Sequence, residues 1–174
     1  LNVLHLADEL APEEEARLAV VRARLLERRR RRVPPATDDK RIASWNALTI
    51  SGLAAASSIL GEPRYLDAAR ECARFLLSRM RDPEGRLLRT WKDGEAKILA
   101  FLEDEAYFTL ALLDLAEAEP DEGEARRWTA EARRVASGMR RRFSRPGVPG
   151  FTFTGDGHEP LLVRTRDLFD KAIP

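Results

Sequence analysis

Residues 34–61 read PPATDDKRIASWNALTISGLAAASSILG, and this stretch decides the fold. Pro34 and Pro35 stop any preceding helix. Acid at Asp38 and Asp39 then opens a helix predicted to run to Leu60, where Gly61 and Pro63 form a turn. Ile42, Ala43, Trp45, Ala47, Leu48, Ile50, Leu53, Ala54, Ala55 and Ile59 leave it almost no polar face, the pattern of a helix buried on all sides. The next segment, 64–81, is different. Tyr65, Ala69, Cys72, Ala73, Leu76 and Met80 form one stripe, while Arg70, Glu71, Arg74 and Arg79 face water. A buried helix is followed by a surface helix.

Further along the chain the same cycle returns. Residues 102–118 form a largely apolar helix (Ala106, Tyr107, Phe108, Leu110, Leu112, Leu113, Leu115), and 124–143 an arginine-rich amphipathic one. A β-hairpin is predicted after each pair. The first joins 87–91 to 95–99 through Lys92-Asp93-Gly94, and the second joins 151–154 to 160–164 through Gly155-Asp156-Gly157. Tyr65 and Trp128, Ala69 and Ala132, and Met80 and Phe143 are each 63 residues apart. Asp39, Glu103 and Asp167 are spaced by 64, each at a predicted helix opening. Stacked helical hairpins of this length imply an all-α, curved or toroidal array with acids collected at one rim.

The expected organisation is a single partial α/α-toroid domain over 1–174. It comprises a lead-in segment and helix (1–33, helical from Pro12 to about Arg32), a first helical hairpin plus β-hairpin (34–99), a second (100–164) and the start of a third (165–174). A closed ring of six such hairpins would need about 380 residues at this period. The chain is therefore expected to be a fragment, or to self-associate through the apolar flanks of its inner helices.

Composition narrows the function classes. A hydrophobic fraction of 44% and a charged fraction of 34% suit a soluble helical domain, and a net charge of +1 provides no field that would attract nucleic acid. Residues 28–32 are all arginine, but without interleaved aromatics they read as a solvated helix end. Cys72 is the single cysteine, which excludes an internal disulfide and a cysteine metal site. No apolar run reaches the roughly 18 residues of a membrane span, and no signal peptide is visible. A cytoplasmic protein with no membrane partner is expected. His5 and His158 lack partners at ligand spacing, so no metal is expected. No nucleophile elbow, phosphate loop or other cofactor motif stands in the chain.

The chemistry-bearing residues cluster at the inner-helix openings: Asp38, Asp39 and Lys40 with Trp45 and Asn46; Glu103 and Asp104 with Tyr107; and Asp167, Asp170 and Lys171. Carboxylates facing one another across a cleft are the equipment of general acid–base work, glycoside chemistry included. Trp45, Trp91 and Tyr107 offer faces on which a sugar ring could rest. The competing reading is structural. Acids in a first turn satisfy free N–H groups and the helix dipole, and Trp45 and Tyr107 can be core packing.

At these residues the sequence resembles a known family. Pro34, Asp38-Asp39-Lys40, Trp45-Asn46 and Leu53-Ala54 match one of its signatures. Phe101-Leu102-Glu103-Asp104 followed by Ala106-Tyr107 matches a second, with Glu105 where the pattern usually has tyrosine. Leu161-Leu162-Val163-Arg164 with Asp167, Asp170, Ala172 and Pro174 matches a third, and Asn2-Val3-Leu4-His5 resembles the segment leading in. The family is the thioredoxin-domain-containing, spermatogenesis-associated protein 20-like (YyaL-like) family, also called domain of unknown function 255. The resemblance implies a thioredoxin-like domain followed by an (α/α)6 toroid, similar to six-hairpin glycosidases and N-acylglucosamine 2-epimerases, with this chain as the early toroid. It moves the third acidic position from Asp167 towards Asp170.

Two functions are then expected. In the first, Asp38, Asp39, Glu103, Asp104 and Asp170 act on a carbohydrate-like small molecule, Lys40 and Asn46 orient them, and Trp45, Trp91 and Tyr107 contact the ligand. In the second, the chain is a non-catalytic module holding a peptide or protein partner for the attached thioredoxin-like domain.

Overall fold

The computed structural model describes residues 10–165. Contacts divide the chain between Asp38 and Asp39 into two units. The first holds α1, Pro12–Arg30. Pro12 has no N–H to donate, and the first helical position needs none. Glu14 accepts from the Ala11 amide at 3.1 Å, and arginines fill the last turn, where the dipole favours them. α1 has no buried residue, and Val20, Val21, Leu25 and Leu26 are roughly half exposed.

The second unit is two helical hairpins with small antiparallel sheets. Its elements are β1 (Arg41–Ile42), α2 (Ala43–Leu60), α3 (Pro63–Arg79), β2 (Leu88–Lys92), β3 (Glu95–Leu99), α4 (Leu102–Ala118), α5 (Glu122–Phe143), β4 (Ser144–Arg145) and β5 (Val148–Phe151). The apolar helices α2 and α4 pack side by side, α3 lies against α2, and α5 lies against α4. Ala47 and Ile50 of α2, Phe108, Leu112 and Leu115 of α4, Ala69, Ala73 and Leu76 of α3, and Ala132 of α5 close one core. The stripe read from the sequence of α3 is the face it buries. Tyr65 is the exception, replaced in the core by Leu66.

Turn chemistry sets the joints. Gly61 takes a left-handed φ of 65° and ends α2, and Pro63 starts α3. Asp93 (φ 51°) and Gly94 (φ 83°) make the two-residue turn between β2 and β3, a geometry that suits the strand twist.

Three expectations are corrected here. α2 starts at Ala43, not near Asp38, because Arg41 and Ile42 are drawn into a strand against Trp91 and Thr90 of β2. The helix starts repeat at 59 residues, from Ala43 to Leu102 and from Pro63 to Glu122. The spacing of 64 between Asp39 and Glu103 therefore does not join equivalent positions. α5 is about a turn longer than α3 (22 against 17 residues), which restores the 63-residue register by Met80 and Phe143. The second hairpin is also displaced. Ser144–Arg145 pairs with Val148–Phe151 around Pro146 and Gly147, whose φ of 71° closes the turn as soon as α5 ends. Phe153 instead donates to the Thr165 carbonyl at 2.9 Å, one residue beyond the predicted strand 160–164. The expected opening of a third helix lies outside the described residues.

A buried carboxylate ties the hairpins together. The Glu119 side chain is fully buried. It accepts from Arg70 Nε of α3 at 2.8 Å, from Trp128 Nε1 of α5 at 3.4 Å and from the Asp121 N–H at 3.4 Å. The Arg70 contact holds its pKa below the ordinary glutamate range. A folded-state pKa below the unfolded one means the stabilisation is present above about pH 4.3 and is lost as pH falls through the folded value. Glu119→Gln is expected to cost about 2–4 kcal/mol at neutral pH, less than a fully orphaned buried charge because Arg70 keeps Asp67. Denaturation followed from pH 7 to 3 should show the variant losing less stability in acid than the parent.

Among the described residues no helix is long and apolar enough to cross a membrane.

Candidate functional site

The three-stranded sheet brings the openings of the inner helices together. α2 follows directly from β1 and α4 follows β3, with β2 paired to both. Along β2, Arg89 and Trp91 share one face, and Lys92 sets out from the other.

Asp104 is the centre of this rim. It is the third residue of α4 and has no solvent exposure. One oxygen, Oδ2, accepts from the Phe101 N–H (2.9 Å) and from Arg89 Nη1 (2.9 Å). The other, Oδ1, accepts from the Ser44 N–H of α2 at 3.1 Å. One carboxylate therefore caps its own helix and the neighbouring one. α2 has no acid in its own first turn, and α4 provides it. Burial pushes the Asp104 carboxyl up, against the pull of the Phe101 amide, Arg89 and Ser44. Burial also pulls the Arg89 pKa down, but Glu103 and Asp104 outweigh it and bind the proton more firmly.

Glu103, beside it, is about a quarter exposed and places Oε1 2.8 Å from Arg89 Nη1. Its Oε2 makes no hydrogen bond among the described residues, so the rim presents one open carboxylate acceptor. The Arg89 guanidinium lies 4.8 Å over the Phe101 ring. Phe101 in turn stacks on Phe153 (5.0 Å) and His158 (5.2 Å). Phe101, His158, Leu99 and Ile98 line a cavity of about 270 Å³. Ile98 stands opposite Arg89 in the sheet register and takes a φ of 65°. A β-branched residue reaches that region only under strain, and such strain collects at working sites.

The other residues singled out from the sequence are placed as follows. Asp39 is exposed and pairs with Lys92 Nζ at 3.0 Å, which holds its pKa down. Asp38 and Lys40 are exposed in the extended segment before β1. Asn46 donates from Nδ2 to the Ile42 carbonyl (2.8 Å) and accepts from the Cys72 thiol at 3.4 Å. Trp91 meets Phe75 edge-on at 5.5 Å, so its ring is committed to packing on α3. Tyr107 packs against the core, whereas Trp45 is 41% exposed. Asp167 and Asp170 lie outside the described residues. The structure thus joins Glu103 and Asp104 on Arg89 and holds Asp39 separately on Lys92. Arg89 and the Phe101–His158 stack were not foreseen as site residues. The signal for Arg89 was the two-residue alternation that sets it beside Trp91 on the inward face of a strand.

Among the described residues no group of histidine, cysteine and carboxylate side chains is placed to hold a metal ion.

Paired apolar helices, each backed by an amphipathic one and followed by a short β-hairpin, define a segment of an α/α toroid. The fold agrees with a solved structure of this glycosidase-like type, a UGL variant with the sugar chain dGlcA-Glc-Rha-Glc. The TM-score is 0.56 at 21% identity, over 68% of this chain and 32% of that one. No protein-family model matches the chain. Mouse spermatogenesis-associated protein 20 is 31% identical over 161 residues, 87% of this chain and 20% of the mouse protein. The human protein is 38% identical over 104 residues, 55% of this chain and 13% of its own length. The chain belongs to the spermatogenesis-associated protein 20-like family. It spans a fifth or less of the length of these relatives.

Proposed function

We propose that this segment contributes one wall of a site for a carbohydrate-like small molecule, at the rim where α4 opens. The observation that carries the reading is Glu103. One of its oxygens is held by Arg89, whose guanidinium lies over Phe101 of the cavity lining, and the side chain is about a quarter exposed. A carboxylate fixed by an arginine accepts hydroxyl hydrogen bonds directionally. The toroid fold shared with a sugar-bearing structure supports the class of ligand. Asp104 acts through Arg89 as a positioning residue. Asp39, Lys40, Trp45 and Asn46, near the opening of α2, belong to this proposal as further contributors, with Asp38, Tyr107 and Asp170 kept in it from the sequence alone, and Trp91 supports it by packing. A cytoplasmic setting and an attached thioredoxin-like domain belong to the proposal as well.

A second reading is favoured by a different observation: Asp39, Glu103 and Asp104 are each engaged by a basic side chain. In it, the rim is a structural seam and the toroid holds a peptide or protein partner without catalysis. Thermal-shift screening of the full-length protein against neutral and acidic mono- and disaccharides separates the two. Saturating a site at about a hundred times its Kd adds about 2.7 kcal/mol of stability. The expected result is a sugar-specific rise in Tm, measured against each protein's own ligand-free Tm, that is lost in Glu103→Gln. A panel without any stabilising sugar would sink the first reading.

A further inference from the structure

A second cavity, of about 260 Å³, lies between α4, α5 and the turn before β2. Glu105, Arg81, Arg134, Arg141, Arg142 and Gly138 are among its lining residues. Glu105 is 1% exposed. The Arg142 guanidinium pairs with its Oε1, while Oε2 is buried without a hydrogen-bond partner. Leaving a buried polar atom unpaired is costly, so the open oxygen needs an explanation.

The neighbouring glycine leaves room for the arrangement. Gly138 sits in the interior of α5, where glycine costs a helix about 1 kcal/mol relative to alanine. A Cβ there would meet Arg142 Nη1 and Nη2 at 2.9 Å. The missing side chain lets Arg142, one turn on, fold back across its own helix to Glu105. Burial pushes the Glu105 carboxyl up, against the pull of Arg142, and the Asp104 charge adds to the rise.

The basic side chains around this floor are not all used up. Arg81 reaches Glu131 at 3.2 Å, and Arg134 pairs with Glu131. Arg141 is exposed and makes no ion pair among the described residues. Glu84 and Glu105 are the acids among the lining groups, so four arginines leave an excess of positive charge.

We propose that this cavity binds a small phosphorylated molecule that carries a hydroxyl group. The phosphate meets the arginine edge at Arg81, Arg141 and Arg142, where planar guanidinium groups match its oxygens. The hydroxyl donates to Glu105 Oε2, which is closed to solvent in the free protein and opens to the guest as Arg142 turns to the phosphate. At about 260 Å³ the cavity is slightly below the usual range for drug-sized ligands, which limits the guest to a few carbons.

The test titrates the full-length protein with glycerol 3-phosphate, inorganic phosphate, glycerol and chloride at constant ionic strength, read by isothermal calorimetry. Glycerol 3-phosphate should bind more tightly than inorganic phosphate, and glycerol or chloride should give no heat. Arg141→Ser, exposed and unpaired, should weaken glycerol 3-phosphate about tenfold without changing Tm. Glu105→Gln should reduce its advantage over inorganic phosphate. Glu103→Gln, at the rim, should leave the titration unchanged. Absence of phosphate binding would overturn the proposal, as would equal affinities in the parent and Arg141→Ser.

Discussion

Asp104→Ala is expected to cost about 3–5 kcal/mol, the range for removing one partner of a buried, hydrogen-bonded charge pair. The physical case rests on what the carboxylate holds. It closes the first turn of α4 at Phe101, supplies the missing acceptor to α2 at Ser44, and neutralises Arg89, which is only 20% exposed. Alanine would leave two helix N–H groups and a guanidinium short of a partner in the place where the inner helices meet. With typical domain stabilities of roughly 5–15 kcal/mol, such a loss removes a large part of the margin. Asp104→Asn keeps one acceptor but turns an NH2 group towards N–H donors, so an intermediate loss is expected. Glu103→Gln is the control. Its side chain is partly exposed and shares Arg89, so its loss should stay within about 1 kcal/mol. Urea denaturation at pH 7 would compare the three through their midpoints, given unchanged slopes. An Asp104→Ala midpoint no lower than that of Glu103→Gln would show that the rim is held by something other than this carboxylate.

The sequence disclosed the architecture because the architecture depends on period. Apolar residues all round α2 and α4, single stripes on α3 and α5, and Gly61 and Asp93-Gly94 at the joints are local signals, and each produced the element it implied. The rim was only half legible, because its decisive contacts are long-range. Acid before a helix usually caps that helix, so Asp38 and Asp39 were read as the opening of α2. The strand pairing of Arg41 and Ile42 with β2 displaced that opening by about a turn, and the cap came from Asp104, 60 residues on. Nothing local to Ser44 announces that exchange. The second hairpin was misplaced for a related reason. Gly155-Asp156-Gly157 has good turn chemistry, but Pro146-Gly147 comes first and closes the strand that follows α5 immediately. His158, just past the predicted turn at Gly155-Asp156-Gly157, stacks on Phe101, a contact 57 residues apart that no spacing rule would suggest.

The isolated 174-residue chain is expected to self-associate through the open flanks of its inner helices. On α2, Trp45, Leu48, Gly52, Ala55 and Ile59 recur at intervals of three and four and are all exposed. Trp45 is 41% exposed, Leu48 44% and Ile59 81%. On α4, Leu110 (56%) and Leu113 (43%) do the same. Helices without a polar face are built to be covered, and in a toroid the cover is a neighbouring hairpin. Relatives in which the matched stretch is a fifth or less of the length have the length to provide one. A second copy can offer the same kind of surface. Completing the burial of a half-exposed leucine is worth about 1 kcal/mol, and the combined stripe several, set against the entropy of association. A dissociation constant of about 1–100 µM, near −8 to −5 kcal/mol, is the expected scale. Leu48→Glu with Leu113→Glu places charges in these flanks at positions the folded chain leaves half open, so the fold should survive while the contact does not. Sedimentation velocity from low to high micromolar concentration should show the parent shifting to larger species and the double variant staying monomeric. Identical, concentration-independent sedimentation of the two would mean that these flanks are solvated in the isolated chain and that apolar exposure alone does not drive the association.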